Sequence, residues 1–396
     1  MLGLKVQDNA DFGAEIIRKV REHSGLSRVE LARVIGVAAS TIGRHVDALV
    51  ATGYFTESVE PTKEAGRPPT RLRPNPARGC FLGVDFYADM MFATAVNFAQ
   101  ETIAQRKVPL QGQMGVESVL REITAALAEL TRETHLPLLA VGLAVPGRVD
   151  TRRGVGLKYV HVPGWENVPL SSIISDAVNA PVYIENNIRT MSLAERWFGE
   201  GRGCQDLVCL GVRYGIAAGV IRDGQLATGH QELGGEIRGW NCPVYNAMEE
   251  KWEWRSGGTF EKYASVTAAL TRYNTLSGSD LELEGFLEKA QQGDQHALTA
   301  VREVAAVHGW AIAQMVQLID PEIVVVAGPL TALGDLYLDS VRNFALQFES
   351  DYHPSVPILI SELGEFAGAV GAAALALEKW RPADVADRLR VICRFR

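Results

Sequence analysis

The chain has little with which to cross a membrane, staple itself or coat a nucleic acid. No apolar run reaches the roughly 18 residues that a bilayer-spanning helix needs, and no signal-peptide pattern opens the sequence, so the expected home is the cytoplasm with no membrane partner. Five cysteines are present, Cys80, Cys204, Cys209, Cys242 and Cys393, without paired spacing or a metal knuckle, which predicts reduced thiols. A formal net charge of −8 excludes a general nucleic-acid coat. The charge is unevenly spread, however: residues 1–80 hold twelve Lys and Arg against nine Asp and Glu, while the remainder holds 27 against 38. Any contact with nucleic acid is therefore expected at the N-terminal end. With 396 residues, the chain is long enough for more than one domain.

What the N-terminal end does have is helical punctuation. Ser27 and Glu30 have capping-box spacing, which predicts a helix that starts at Ser27, buries Leu31 and Ile35 and ends at Gly36. After a tight turn, Ser40 or Thr41 caps a second helix in which Ile42, Val46, Leu49 and Val50 face inward, leaving Thr41, Arg44 and His45 pointing out. A helix over about 11–22 adds Phe12, Ile16, Ile17 and Val20 as the third wall of a small core. Residues 54–59 and 70–73 pair as short strands around a loop holding Gly66, Arg67, Pro68 and Pro69. The pattern predicts a winged helix-turn-helix with its linker over 1–76 and operator DNA as partner. Ser40, Thr41, Arg44 and His45 would lie at the major groove and Arg67 in a narrow minor groove. A three-helix docking unit that never meets DNA is the alternative.

From about residue 77 onward strands and helices alternate, which is α/β organisation. Residues 81–84 and 92–97 read as paired strands, 116–133 as a helix and 138–145 as a buried strand. The pattern recurs at 206–212 and 216–221, a strand pair closed by an Asp223–Gly224 turn, and then a helix over 295–319, a strand over 323–326 and an apolar helix over 365–378. Two similar halves suggest an internal duplication and two lobes with a cleft between them. The expected division is 77–190 for the first lobe and 191–396 for the second, with the C-terminal helix returning to the first.

The residues at the strand edges carry a resemblance. Gly83-Val84-Asp85, the run from Val145 to Asp150, the run from Gly164 to Leu170, Glu185-Asn186-Asn187, Gly215 to Gly219, Gly234-Gly235-Glu236-Ile237 and Glu261 to Ser265 fall in the order seen in the ROK family of repressors, open reading frames and sugar kinases. The resemblance covers essentially the whole chain, because the repressor branch of that family has a winged helix-turn-helix ahead of the kinase-like part. It implies a two-lobed, actin-like ATPase body of the sugar kinase and ribonuclease H type, with a sugar site in the cleft.

The same resemblance shows departures. Kinases of the family carry Glu-Asn-Asp where this chain has Glu185-Asn186-Asn187, and an amide cannot take the hydroxyl proton as a carboxylate can. Phe86-Tyr87-Ala88 replaces the first phosphate loop, Arg213-Tyr214-Gly215 opens the second, and Ala327-Gly328-Pro329 departs from the glycine run near adenosine; Asp85 remains. Gly239, Trp252, Trp254 and Thr259 fall where the family places zinc ligands, so no metal and no cofactor are expected, with Trp252 and Trp254 filling the space by apolar packing. By resemblance Asn186, Glu236 and Glu261 match sugar-hydroxyl ligands, and Asn187 can still hydrogen-bond. Arg189, Arg213 and Arg238 lie close to these motifs. They either meet an anionic group on the ligand or pair with acids such as Glu195 or Glu232. The aromatic residues Trp240, Tyr245, Trp252 and Trp254 read as a packed cluster, and Arg388, Arg390, Arg394 and Arg396 as a solvated helix end. The resulting expectation is a sugar-responsive transcriptional repressor of carbohydrate genes, not an enzyme, working as a homodimer or homotetramer. The rival is an active sugar kinase with an autoregulatory DNA-binding domain.

Overall fold

A computed structural model describes residues 6–23, 25–59, 70–87, 89–110, 115–255, 258–348 and 355–382. At the N-terminal end lie three helices, α1 (Val6–Glu22), α2 (Arg28–Ile35) and α3 (Ala39–Ala51), followed by the antiparallel pair β1 (Phe55–Val59) and β2 (Thr70–Pro74). The capping box forms as its spacing demands: Ser27 accepts from the Glu30 amide and the Glu30 carboxylate accepts from the Ser27 amide. Gly36, in the left-handed region, closes α2. Only Gly36, Val37 and Ala38 separate α2 from α3, and the two helices are bent by 118°. One expectation fails here. Neither Ser40 nor Thr41 caps α3, which begins at Ala39 behind Ala38 with no side-chain cap.

The rest of the chain builds two five-stranded sheets. The first uses β3 (Cys80–Tyr87), β4 (Met90–Asn97), β5 (Thr102–Pro109), helix α4 (Val116–Thr134) and β6 (Leu138–Val145). A three-stranded flap of β7 (Arg148–Asp150), β8 (Val155–Lys158) and β9 (Glu166–Val168) follows, then α5 (Leu170–Val178), β10 (Val182–Asn186) and α6 (Asn187–Phe198). The second uses β11 (Leu207–Val212), β12 (Ile216–Arg222) and β13 (Gln225–Leu226). A hairpin of β14 (Pro243–Asn246) and β15 (Lys251–Trp254) leads to α7 (Phe260–Ala264), α8 (Val266–Ser277), α9 (Leu283–Gln291) and α10 (Gln295–Ile319). Last come β16 (Ile323–Ala327), α11 (Asp335–Leu346), β17 (Ile358–Ile360) and α12 (Ala367–Lys379).

The strand orders are β10-β6-β3-β4-β5 and β13-β12-β11-β16-β17. In each sheet the first three strands form an antiparallel meander and the last two join in parallel. The two halves therefore repeat one topology. The Asp223–Gly224 turn does not close the β11–β12 pair; it joins β12 to β13, and residues 213–215 make the tighter connection. The parallel strands β6 and β16 are apolar along nearly their whole length because helices cover both faces.

Helix α12 lies on the first sheet at backbone contact. A Cβ on Gly83 would collide with the backbone of Ala369 and Ala373, and one on Gly142 with the carbonyl of Ala372. On its other side Gly371 meets the Thr190 carbonyl of α6, so α6 runs between α12 and strands β11 and β12. The N-terminal unit is not a separate bead: one apolar cluster runs from Ile16, Val46 and Tyr54 through Phe81 and Phe98 to Trp197 and Trp380. Among the described residues no single helix is long and apolar enough to cross a membrane.

Candidate functional site

Two surfaces carry the chemistry that the sequence points to. On α3, the inward face holds Ile42, Val46, Ala48 and Leu49, all buried. Ser40 and Arg44 are exposed and Thr41 is half-buried, so these three do face outward. His45 does not. It is 6% exposed, its ring stands edge-on to Phe12 at 4.7 Å, and its Nδ1 donates to the Thr41 carbonyl at 3.0 Å. Burial, with Arg44 alongside, holds its pKa below the usual histidine range. The imidazole belongs to the core and leaves the outward set. Arg28 is pinned to Asp47 and Glu57, which ties α2 to α3 and to β1. Arg67 and the proline loop lie outside the described residues.

The second surface lies where the strands of both sheets end. Strand β10 delivers Glu185 and Asn186, and α6 starts at once with Asn187. The Asn186 amide oxygen caps α6 by accepting from Ile188 and Arg189, and its amide nitrogen donates to the Gly147 carbonyl at 3.1 Å. One N–H is left for anything else. The Asn187 side chain is mostly buried and makes no hydrogen bond among the described residues.

Arg189 is not a free cation. It is 2% exposed, bound to Glu185 through Nε at 2.8 Å and through Nη2, and its Nη1 donates to the Glu232 carbonyl at 2.5 Å. A guanidinium so engaged has no donor fork to offer a ligand, which removes Arg189 from the ligand set. The Glu232 carboxylate in turn accepts from the amide and hydroxyl of Thr151 at 2.7 and 2.9 Å. Thr151 and Glu232 were not legible as a pair, because 81 residues separate them and neither sits in a periodic pattern. Together they bridge the flap of the first half to the 227–242 loop of the second. Past Glu232 that loop turns back on β12, with the Gly235 carbonyl accepting from Ala218 at 2.8 Å. It presents Glu236 and Arg238, both exposed and without a side-chain partner among the described residues. The Glu261 amide donates to the Arg238 carbonyl, and the Glu261 carboxylate is so close to Gly215 that a Cβ there would lie 3.3 Å away. The Arg189–Glu232 contact thus brings the start of α6 to the 227–242 loop that carries Glu236 and Arg238, and the Arg238 carbonyl brings that loop to Glu261.

Between the two halves, Arg213 reaches across from the end of β11 and donates to Asp85 Oδ2 at 2.7 Å. The guanidinium also lies 4.1 Å over the Tyr87 ring. Both partners are buried, and Asp85 Oδ1 has no partner. Burial pushes the Asp85 carboxyl above its usual range against the pull of Arg213. A magnesium nucleotide needs that carboxylate free for the cation and open backbone for its phosphates. Here a side-chain cation is already in place and a tyrosine covers it, so the donor set does not fit the group. The acids expected to hold these arginines, Glu195 and the Glu232 carboxylate, are used elsewhere, Glu195 by Ser361 at 2.5 Å.

Around the hairpin, Trp252 packs against Tyr245, Phe344 and Phe348 and Trp240 against Phe260 and Trp310, as aromatic packing predicts. Trp254 breaks the expectation at 72% exposed. Cys242 is buried, which pushes its thiol to about 11. Cys393 and the C-terminal arginines lie outside the described residues.

Comparison with known proteins gives this geometry a lineage. The model of the ROK family matches residues 81–379. The xylose repressor of Caldicellulosiruptor bescii is 26% identical over 380 residues, spanning 91% of this chain and 94% of its own. The glucokinase of Thermotoga maritima is 28% identical over 284 residues, spanning 67% of this chain and 87% of its own. Among solved structures, a ROK family transcriptional regulator, a homologue of the E. coli MLC protein, superposes with a TM-score of 0.77 at 20% identity, covering 97% of this chain and 98% of its own. A ROK family glucokinase from Streptomyces griseus superposes with a TM-score of 0.64 at 27% identity, covering 75% of this chain and 99% of its own, so the shared fold is the mixed α/β, sugar-kinase-like one.

Proposed function

Because the chain belongs to the ROK family, we propose that it is a sugar-responsive transcriptional repressor whose N-terminal unit, 1–76, is a winged helix-turn-helix. The observation that carries the reading is the α2–α3 pair. Two helices bent by 118° around a three-residue turn have the crossing of a DNA-reading pair, and the second presents Ser40, Thr41 and Arg44 outward. A repressor relative that aligns along nearly the whole chain supports it. Asn187, Glu236 and Glu261, with the remaining Asn186 N–H, are the groups we assign to sugar hydroxyls, and Arg238 to the rim. Ligand binding there shifts operator affinity by as much as it discriminates between the two arrangements of the protein, and two heads in a homodimer read palindromic half-sites. The body acts as a sensor and not as a kinase, since Asp85 is held by Arg213 and Asn187 stands where a base is needed.

Fluorescence anisotropy on duplexes selected from a randomised pool tests the reading, run with and without D-xylose or D-glucose. The full chain should bind and Arg44→Ala should weaken binding by about 1–3 kcal/mol at an otherwise unchanged fold. Absence of duplex binding at moderate salt would sink the reading. Release of ADP above background on adding ATP and either sugar would favour the kinase alternative suggested by the glucokinase relative.

A further inference from the structure

Helix α6 touches the cleft at one end and the N-terminal unit at the other. Its N-terminus carries Asn187 and Arg189, with Asn186 as cap. Its C-terminus carries Arg196, whose Nη2 meets Glu22 Oε1 at 2.7 Å and whose Nη1 meets Glu378 Oε1 at 3.3 Å. Glu22 is the last residue of α1, and Glu378 lies in the last turn of α12. The Trp197 indole donates to the same Glu378 oxygen at 2.6 Å, and the Arg196 guanidinium is the group on which three helices, α1, α6 and α12, converge. Next to Glu22, Arg21 donates to the Phe98 carbonyl at 3.0 Å and covers the Phe98 ring at 4.2 Å. Besides the apolar cluster and the Asp11–Arg381 pair at 2.9 Å, the seat of α1 on the body is thus fixed by two adjacent polar residues, one of them gripped by α6.

The helix between these ends has no freedom to absorb a displacement. Eleven of its twelve residues, Asn187 to Trp197, are buried. Gly371 of α12 presses on the Thr190 carbonyl, and Gly211 and Gly219 of the second sheet lie against Ile188 and Ser192. Packed interiors transmit strain because they leave no voids to take it up. From Asn187 to Arg196 the rod spans about 14 Å at 1.5 Å per residue. Arg196 is 4% exposed on its side chain, and its Nε has no partner, so its pairing with Glu22 and Glu378 takes place out of water.

We propose that α6 is the relay by which ligand at the cleft sets the seat of the DNA-reading unit, with Arg196 as the positioning residue that transmits its movement to α1. The proposal rests on the regulator reading above. A ligand that engages Asn186 and Asn187, or shifts the Glu185–Arg189–Glu232 tie, moves the start of α6, and the Arg196–Glu22 contact carries that movement to α1. Coupling then follows from differential binding to two seatings of one helix.

The test compares the full-length chain with Arg196→Met, which keeps the apolar stem, and Glu22→Leu, which removes the acceptor at the other side of the contact. Calorimetric titration with D-xylose and D-glucose measures sugar binding, and anisotropy on the selected duplex measures DNA affinity with and without sugar. Wild type should show a sugar-induced change of at least about fivefold. Both variants should bind sugar and DNA within about threefold of wild type and show a sugar response of less than about twofold. In parallel, amide exchange in α1 should change on adding sugar in wild type and stay unchanged in both variants. A full wild-type sugar response in either folded variant overturns the relay alone. Absence of duplex binding or of any sugar response in the wild type removes the regulator reading and the relay with it.

Discussion

His308 shows how far a single side chain commits its surroundings. It is fully buried in α10, with Nε2 2.6 Å from the Ala264 carbonyl and Nδ1 2.8 Å from the Tyr337 hydroxyl. The carbonyl only accepts, so Nε2 carries the proton and Nδ1 accepts from Tyr337. Burial lowers the imidazole to about 4 from its ordinary 6.5. A histidine depressed in the folded state leaves the unfolded chain holding more protons below pH 6.5, so stability is complete above that pH and falls as pH drops towards the folded value. The expected loss from this one group is about 3 kcal/mol by pH 4. Urea midpoints at about pH 7 and about pH 4 should fall more for wild type than for His308→Gln; equal falls would refute the assignment. The sequence was legible at this scale wherever a residue answers to its near neighbours. Ser27 and Glu30 announced their capping box. His45 and Arg189 were misjudged because their partners are remote or lie across a strand-to-helix junction: Phe12 from α1 covers the first, while Glu185 and the Glu232 backbone hold the second.

At the scale of elements, glycines decide how closely layers approach. Gly142 of β6 lies under the backbone of α12, so Gly142→Ala must push a helix and not merely a flexible side chain. The expected loss is about 1–3 kcal/mol, towards the upper end. Gly43 in α3 has nothing within 4 Å of a built Cβ, and its replacement by Ala should stabilise by about 0.8–1 kcal/mol through helix propensity. Chemical denaturation of the two variants checks both; a stabilised Gly142→Ala would contradict the backbone contact. About half of the helices and strands were legible, mainly where apolar and helical patterns are strong in 80–145 and 295–327, while β5, the flap, α5 to α9 and α11 were not read. The first residue of α3 and the placing of the Asp223–Gly224 turn were not. Hydrophobic repeats give the phase of a segment and leave its ends to local chemistry, and Ala38 offers no capping signal.

For the whole molecule, the proposed ligand groups come from both halves, Asn187 after β10 and Glu236 and Glu261 after β12, so on the proposed reading a ligand there binds only the folded arrangement. D-xylose or D-glucose at a hundred times its Kd should add about 2.7 kcal/mol to stability. Differential scanning fluorimetry reads this as a rise in Tm, which Asn187→Ala should largely remove; an undiminished rise in that variant would place the ligand elsewhere. The recurrence of strands and helices made the two halves legible. The way they are joined, through Thr151–Glu232 and Asp85–Arg213, was hidden, since each tie spans about 80 residues or more of chain and only folding brings its ends together. The second tie has a physiological reach on the proposed reading. A cleft that supplies its own cation to Asp85 gives magnesium and nucleotide nothing to compete for. The regulator would then follow the supply of sugar while staying blind to the energy charge of the cell.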